Sequence, residues 1–383
     1  MKIKSIVLVS ITLISISLLS LAFYSCGKGS GDVIKIGEFA SLTGSEATFG
    51  INSDNGMKLA VEEINNAGGV LGKKIELITE DNQGKPNETQ TVVQKLINRD
   101  KVVAILGEVA SSRSKAAAPL CQQNKIPMIT PASTNPEVTA IGDYIFRVCF
   151  IDPFQATVMS KFALNSMKVK KVALLIDQRN AYSTGLAESF KKTFVEMGGE
   201  IIEEQKYSAG DKDFKAQLTA IKYKNPEAVF IPGYYTDVGL IAIQAREIGI
   251  NVPLFGGDGW ESEKLTEGKA KDALEGCFFS THLSMDDPSP LVQDFIKKYR
   301  AKFNKEPDAM SVLGYDAAML MFDAIKRAGS TDGDKIRQEL AKTKDFKSVS
   351  GNITINEQRN AVKPAVVLEI KDGKFKYKET IAP

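Results

Sequence analysis

One pattern constrains this sequence more than any other. A short apolar run is followed by a loop of Gly, Ser, Thr or Asp, and then by a stretch with apolar residues at helical spacing. The runs at 34–39, 75–79, 102–106 and 126–129 begin four such units. Residues 102–106 are apolar throughout, as a strand covered on both faces must be. Met57, Ala60, Val61 and Ile64 share one helical face, and Gly68-Gly69 ends that helix. The motif restarts after Asp152, with apolar runs at 172–176, 228–231, 253–255 and 277–280 between helical stretches at 183–197, 214–222 and 237–248. Helices at 290–303, 311–328 and 332–343 and strands near 353, 366–370 and 375 complete the chain. Strands alternating with helices predict an α/β fold of parallel sheets covered by helices on both faces. The restart, in a chain of 383 residues, predicts two lobes of common domain size.

The first 25 residues follow other rules. Lys2 and Lys4 precede an apolar stretch at 6–23, which leads into Phe23-Tyr24-Ser25-Cys26-Gly27. This is an export signal, 1–25. The cysteine that follows resembles a bacterial lipoprotein box, in which Cys26 is lipidated and 26–31 form a flexible tether. An uncleaved anchor and an ordinary secretory signal are the alternatives. All three place the body outside the cytoplasm, on the periplasmic or extracellular face.

Ligands of open α/β sheets bind off the carboxyl ends of the strands. Thr43, Thr48 and Phe49 follow the first run, Ala110, Ser111 and Ser112 the third, and Thr130, Ala132, Ser133 and Thr134 the fourth. In the second half, Asp177 and Tyr182, then Gly233, Tyr234 and Tyr235, then Asp258 and Trp260 fall at the same edge. The first half supplies hydroxyls beside helix starts, at Ser111-Ser112 and at Thr134 before Asn135-Pro136. Free N–H groups and partial positive charge there suit a carboxylate. The second half supplies an acid and aromatic faces that suit an ammonium. Singly, Ser111 and Thr134 also read as N-caps, Tyr182 and Tyr234 as packing residues, and Asp258 as an ordinary turn residue. Their joint placement at one edge points to capture of an α-amino acid.

With these residues in view, the chain resembles the leucine/isoleucine/valine-binding proteins of bacterial ABC importers. The carriers are Leu42-Thr43-Gly44 with Phe49-Gly50, Ala60-Val61-Glu62-Glu63-Ile64-Asn65, Ala67-Gly68-Gly69-Val70-Leu71-Gly72, and residues 129–137. Tyr182 with Gly185-Leu186-Ala187, Gly233-Tyr234-Tyr235 and Gly256-Gly257-Asp258-Gly259 add to them. The resemblance implies a type I periplasmic binding protein fold, two doubly wound parallel-sheet lobes joined by three crossovers near 149–153, 280–283 and 355–358. Lobe 1 would be 32–152 plus 282–355, and lobe 2 would be 153–281 plus 356–383. It implies that Ser111 and Thr134, with Ala110, Ala132 and neighbouring Ser133, take the ligand carboxylate. Asp258 and Tyr234 would take the ammonium, and Phe49 and Tyr182 would line the side-chain pocket. The implied partners are a small amino acid, the permease subunits of an ABC importer, and the membrane through the lipid anchor. Some relatives carry a disulfide where Gly84 and Ala110 stand here, so that bridge is absent. Asp258 is shorter than the glutamate of some relatives and Trp260 follows it, which bears on pocket size. Relatives of the group bind other amino acids, amides or aromatic acids, and the same fold serves as a sensory ligand-binding module.

Other functions find little support. With 49 basic and 47 acidic residues the chain has no one-signed field for nucleic acid. One histidine and four cysteines argue against a Cys/His metal site. Cys121, Cys149 and Cys277 read as buried free thiols, and no cofactor motif occurs. Ser112-Arg113-Ser114-Lys115 and Ser53-Asp54-Asn55 match S-x-x-K and S-D-N, but in reversed order and without K-T-G. His282 is expected as an ordinary surface or hinge residue, and the chain is expected to bind without catalysis.

Overall fold

The computed structural model describes residues 33–382. The expected signal 1–25, the tether and Cys26 lie outside them. The first sheet contains β1 (Ile34–Ala40), β2 (Ile75–Asp81), β3 (Ala104–Leu106), β4 (Met128–Thr130) and β5 (Ile145–Arg147), all parallel, in the order β2-β1-β3-β4-β5. Its connections are α1 (Ala47–Asn66), α2 (Pro86–Asn98), α3 (Ser111–Gln123) and the single turn α4 (Glu137–Ala140). The chain then crosses into α5 (Asp152–Lys161).

The second sheet has β6 (Lys171–Asp177), β7 (Glu200–Tyr207), β8 (Ala228–Phe230), β9 (Leu254–Gly256) and β10 (Cys277–Thr281), parallel in the order β10-β9-β8-β6-β7. Its helices are α6 (Ala181–Glu196), α7 (Lys215–Tyr223), α8 (Tyr235–Glu247) and α9 (Gly268–Ala273). After β10 the chain goes back through α10 (Pro290–Phe303), α11 (Ala309–Ala328) and α12 (Gly333–Ala341) to pack on the first lobe, α11 along α1. A short antiparallel ladder of β11 (Thr354–Ile355) and β12 (Ala361–Val362) precedes β13 (Ala365–Lys371) and β14 (Lys374–Ile381), which extend the second sheet beyond β10. In both sheets the strand order reverses beside the first strand, between β1 and β3 and between β6 and β8. Ligand crevices form at such points.

Three differences from the expected layout have physical causes. The third crossing comes later than 355–358. Arg359 O accepts from Arg147 N and the Asn360 side chain bonds Thr139, which keeps this turn against the first sheet. The chain joins the second sheet only at Ala365, so 356–360 stay on the first-lobe side. Strand β5 is extra: its three residues, Ile-Phe-Arg, are too few to display a period. Helix α4 begins at Glu137, with the Asn135 side chain accepting from Glu137 N at 2.9 Å, so Thr134 does not start a helix.

Helices α1 and α11 approach so closely that a Cβ on Gly56 would lie 1.9 Å from Ser311 O, and one on Gly314 would lie 2.3 Å from Ser53 O. The contact seats the start of α11, and Met310 with it, beside the strand ends of the first sheet. Cys121, Cys149 and Cys277 are buried and free. Among the described residues, no helix is long and apolar enough to cross a membrane.

Candidate functional site

Each wall of the cleft is set by local structure. Asn180 caps α6, its side chain accepting from Tyr182 N at 3.0 Å, and this fixes Tyr182 in the first turn. Tyr234 is the extended residue before α8. Asp308 and Ser311 form a capping box at α11 and hold Met310 between them. Asp258 and Gly259 lie in a tight turn just past β9.

These residues meet in a small cavity between the lobes, lined by Phe49, Val109, Ala132, Tyr182, Tyr234, Asp258, Gly259 and Met310. Tyr182 and Tyr234 are stacked, centroids 5.1 Å apart, and Phe49 from the opposite lobe meets Tyr234 edge-on at 5.6 Å. Such pairs stabilise beyond the area they bury. Tyr182 Oη accepts from Gly259 N at 3.0 Å, which ties the aromatic wall to the acidic turn. Asp258 is 3% exposed. Its Oδ1 accepts from Gln155 Nε2 at 2.9 Å, and its Oδ2 lies 3.1 Å from His282 Nε2. A larger hollow, reaching Glu46, Lys212, Tyr235, Asp237 and Lys264, is an open notch that shares none of these walls.

Five of the expected residues, Phe49, Ala132, Tyr182, Tyr234 and Asp258, line the cavity. The other four do not. Val109 takes the place of Ala110, which is the residue before α3. Ser133 turns inward, its Oγ donating to Glu108 O at 2.8 Å and meeting Ser114 Oγ at 2.7 Å, so it braces the loop after β3. Ser111 and Thr134 sit behind the lining, and neither is an N-cap. Ser111 Oγ accepts from Asn135 N at 3.2 Å, joining the two loops. The Thr134 hydroxyl is buried beside the Asp152 carboxyl without a well-formed hydrogen bond to it or to any other described residue. A buried hydroxyl left so is costly and calls for a partner. Burial pushes the Asp152 carboxyl up to about 8.

Other residues emerge only from the structure. Buried Arg147 donates to Asn135 O at 2.8 Å and also to Ser133 O, holding the Ala132–Asn135 turn by its carbonyls. His282 is no surface residue: it is buried and stacks on Phe150, centroids 3.9 Å apart, so two crossings touch through their rings. Trp260 does not limit the cavity. Its indole points into the second lobe and donates to Ile231 O at 2.9 Å. Met310 carries no sequence signal, because α11 reaches the cleft only through the chain's return.

The lobes also touch directly around the cavity. Ser112 Oγ accepts from Ala181 N at 3.0 Å, Asn135 Nδ2 donates to Ala181 O at 2.7 Å, and Tyr235 Oη donates to Ser45 O at 3.2 Å. The arrangement sets a carboxylate and aromatic faces opposite an apolar wall.

The chain matches the family model described as periplasmic binding protein over residues 33–374. It is 32% identical to the leucine-, isoleucine-, valine-, threonine- and alanine-binding protein of Pseudomonas aeruginosa over 329 residues, 85% of this chain and 87% of the relative. A leucine-binding protein of Thermotoga maritima superposes with TM-score 0.88 at 40% identity, covering 92% of this chain and 99% of that one. A branched-chain amino acid transporter substrate-binding protein of Streptococcus pneumoniae, solved with isoleucine, gives 0.87 at 35% identity, covering 92% and 100%.

Proposed function

The chain belongs to the periplasmic binding protein family, and from that premise we propose that it captures a branched-chain amino acid between its lobes for an ABC importer, without changing it chemically. One observation carries this reading: the buried Asp258 carboxylate and the Tyr182–Tyr234 pair face Phe49, Val109 and Met310 across the small cavity between the lobes. The ligand ammonium pairs with Asp258. Its carboxylate lies against Val109 and Ala132, and the Thr134 hydroxyl and the N–H groups that open α3, each two residues further along the chain, turn toward it as the ligand binds. Its aliphatic side chain fills the space against Phe49, Val109 and Met310. The relatives that bind leucine, isoleucine and valine support that choice of ligand.

The protein acts outside the cytoplasm, held at the membrane by a lipid on Cys26, and its ligand-closed form docks on the permease. Closure is favoured only as far as the ligand binds the closed form better. Thermal shift across amino acids, amides and aromatic acids tests the ligand class. A branched-chain amino acid at one hundred times its dissociation constant is expected to add about 2.7 kcal/mol of stability. A shift with aromatic acids alone overturns the reading. Loss of lipid labelling in Cys26→Ala tests the anchor.

A further inference from the structure

We propose that Gln155 and His282 are positioning residues for ammonium recognition, two neutral donors that aim the Asp258 carboxylate into the cavity without cancelling its charge. The inference rests on the reading that Asp258 receives the ligand ammonium. Gln155, on α5, grips Asp258 at both ends of its amide. Nε2 donates to Asp258 Oδ1 at 2.9 Å, and Oε1 accepts from Asp258 N at 3.0 Å. Ser280 Oγ also donates to Gln155 Oε1, at 3.1 Å, which fixes the orientation of the amide. One planar group therefore sets both the backbone and the side chain of Asp258.

His282, on the second crossing, holds the other carboxylate oxygen through Nε2 at 3.1 Å. Its Nδ1 is buried and has no hydrogen-bond partner among the described residues. A proton on Nδ1 would be a buried donor without an acceptor, the more costly arrangement. The geometry thus selects the neutral ring with its proton on Nε2. Burial likewise lowers the histidine's affinity for a second proton. Phe150 stacks on the ring and locks its plane.

The choice of donors has a chemical logic. A lysine or arginine in place of either would form an ion pair with Asp258, and an arriving ammonium would meet a neutralised acid. Two neutral donors orient the carboxylate and leave its negative charge for the ligand. Lys363, on the third crossing, is the other charged group that acts on His282 besides Asp258. Asp152, Glu261, Tyr182, Tyr234 and Cys149 are the titratable groups that act with Asp258. Protonating His282 creates an imidazolium on Asp258 that repels the ammonium, so ligand affinity must fall as pH drops below the ordinary histidine range, near 6.5.

Calorimetric titration with L-leucine, or with the amino acid that stabilises the wild type most, tests this on wild type, Gln155→Leu, His282→Phe, His282→Gln and Asp258→Ala. Each of the first two variants is expected to lose about tenfold or more in affinity, as befits a donor removed from a charged acceptor. His282→Gln keeps a neutral donor near the Nε2 position. It is expected to restore most of that loss and to lack the acid-side fall in affinity that the wild type shows. The other titrating groups are common to both proteins, so the difference isolates His282. If Asp258→Ala loses binding while Gln155→Leu and His282→Phe bind as the wild type does, the positioning role is overturned. If Asp258→Ala binds as the wild type does, the ammonium assignment itself fails. Should His282→Phe not fold, identical acid-side profiles for wild type and His282→Gln would still overturn the proposal.

Discussion

A carboxylate buried in a closed cavity must find a cation or take up a proton. Asp258 has neutral donors on both oxygens and faces aromatic rings, so a ligand ammonium is its natural counter-charge. Asp258→Ala leaves that ammonium unpaired and is expected to weaken amino-acid binding by about 2–5 kcal/mol. Calorimetry at neutral pH measures it, and unchanged affinity would place the ammonium elsewhere. Asp152 behaves differently. Its carboxyl, pushed by burial from the usual 3.8 up to about 8, holds its proton in the folded protein where the unfolded chain releases it. The stability it contributes is full below the unfolded value and is lost as pH rises toward 8. Asp152→Asn is therefore expected to flatten the decline in stability between about pH 4 and 8, read by denaturant titration at several pH values. An unaltered slope would show that Asp152 is ionised in the fold. At this scale the sequence exposed Phe49, Ala132, Tyr182, Tyr234 and Asp258, because each follows an apolar run at the ligand edge. It could not reveal which way Ser111 and Ser133 turn, since loops lack a period from which direction can be read. Gln155 and His282 stayed hidden because their partner, Asp258, is remote in sequence.

Helices α1 and α11 share a contact that admits no side chain at Gly56 or Gly314. Gly56→Ala forces a methyl against the Ser311 carbonyl, and overpacking of this kind costs about 1–3 kcal/mol. Thermal melting is expected to show that loss, together with weaker ligand binding, because the shift displaces Met310. A melting temperature equal to the wild type would mean that the helices part without cost. Long elements were plain from their periodicity: α10 spans Pro290–Phe303, the bounds expected from the sequence. The short strands β3 and β4 were located but begin about two residues late, because an apolar run says that a segment is buried and not where its ladder starts. The late third crossing was hidden for a related reason. Two-residue strands such as β11 and β12 carry no pattern, and only the bonds of Arg359 and Asn360 to the first sheet reveal where the chain lies.

Across the whole molecule, two sheets face each other through their carboxyl ends, which the alternation of strands and helices made legible. The direct bonds between lobes were not legible, because each pairs side chain and backbone across separate sheets. Tyr235→Phe removes the donor to Ser45 O, and Ser112→Ala removes the acceptor for Ala181 N. Neither residue lines the cavity. Each variant is still expected to weaken binding by about 0.5–1.5 kcal/mol, because it disfavours the closed form from which affinity derives. Calorimetry beside small-angle scattering checks this, and a closed form as populated in each variant as in the wild type would contradict it. The enclosure has a kinetic consequence. With Phe49 and Asp258 almost wholly shielded from solvent, a captured molecule has no exit while the lobes stay together. Its residence time is then governed by how often the occupied cleft gapes, and a ligand that grips both lobes more strongly slows that gaping itself.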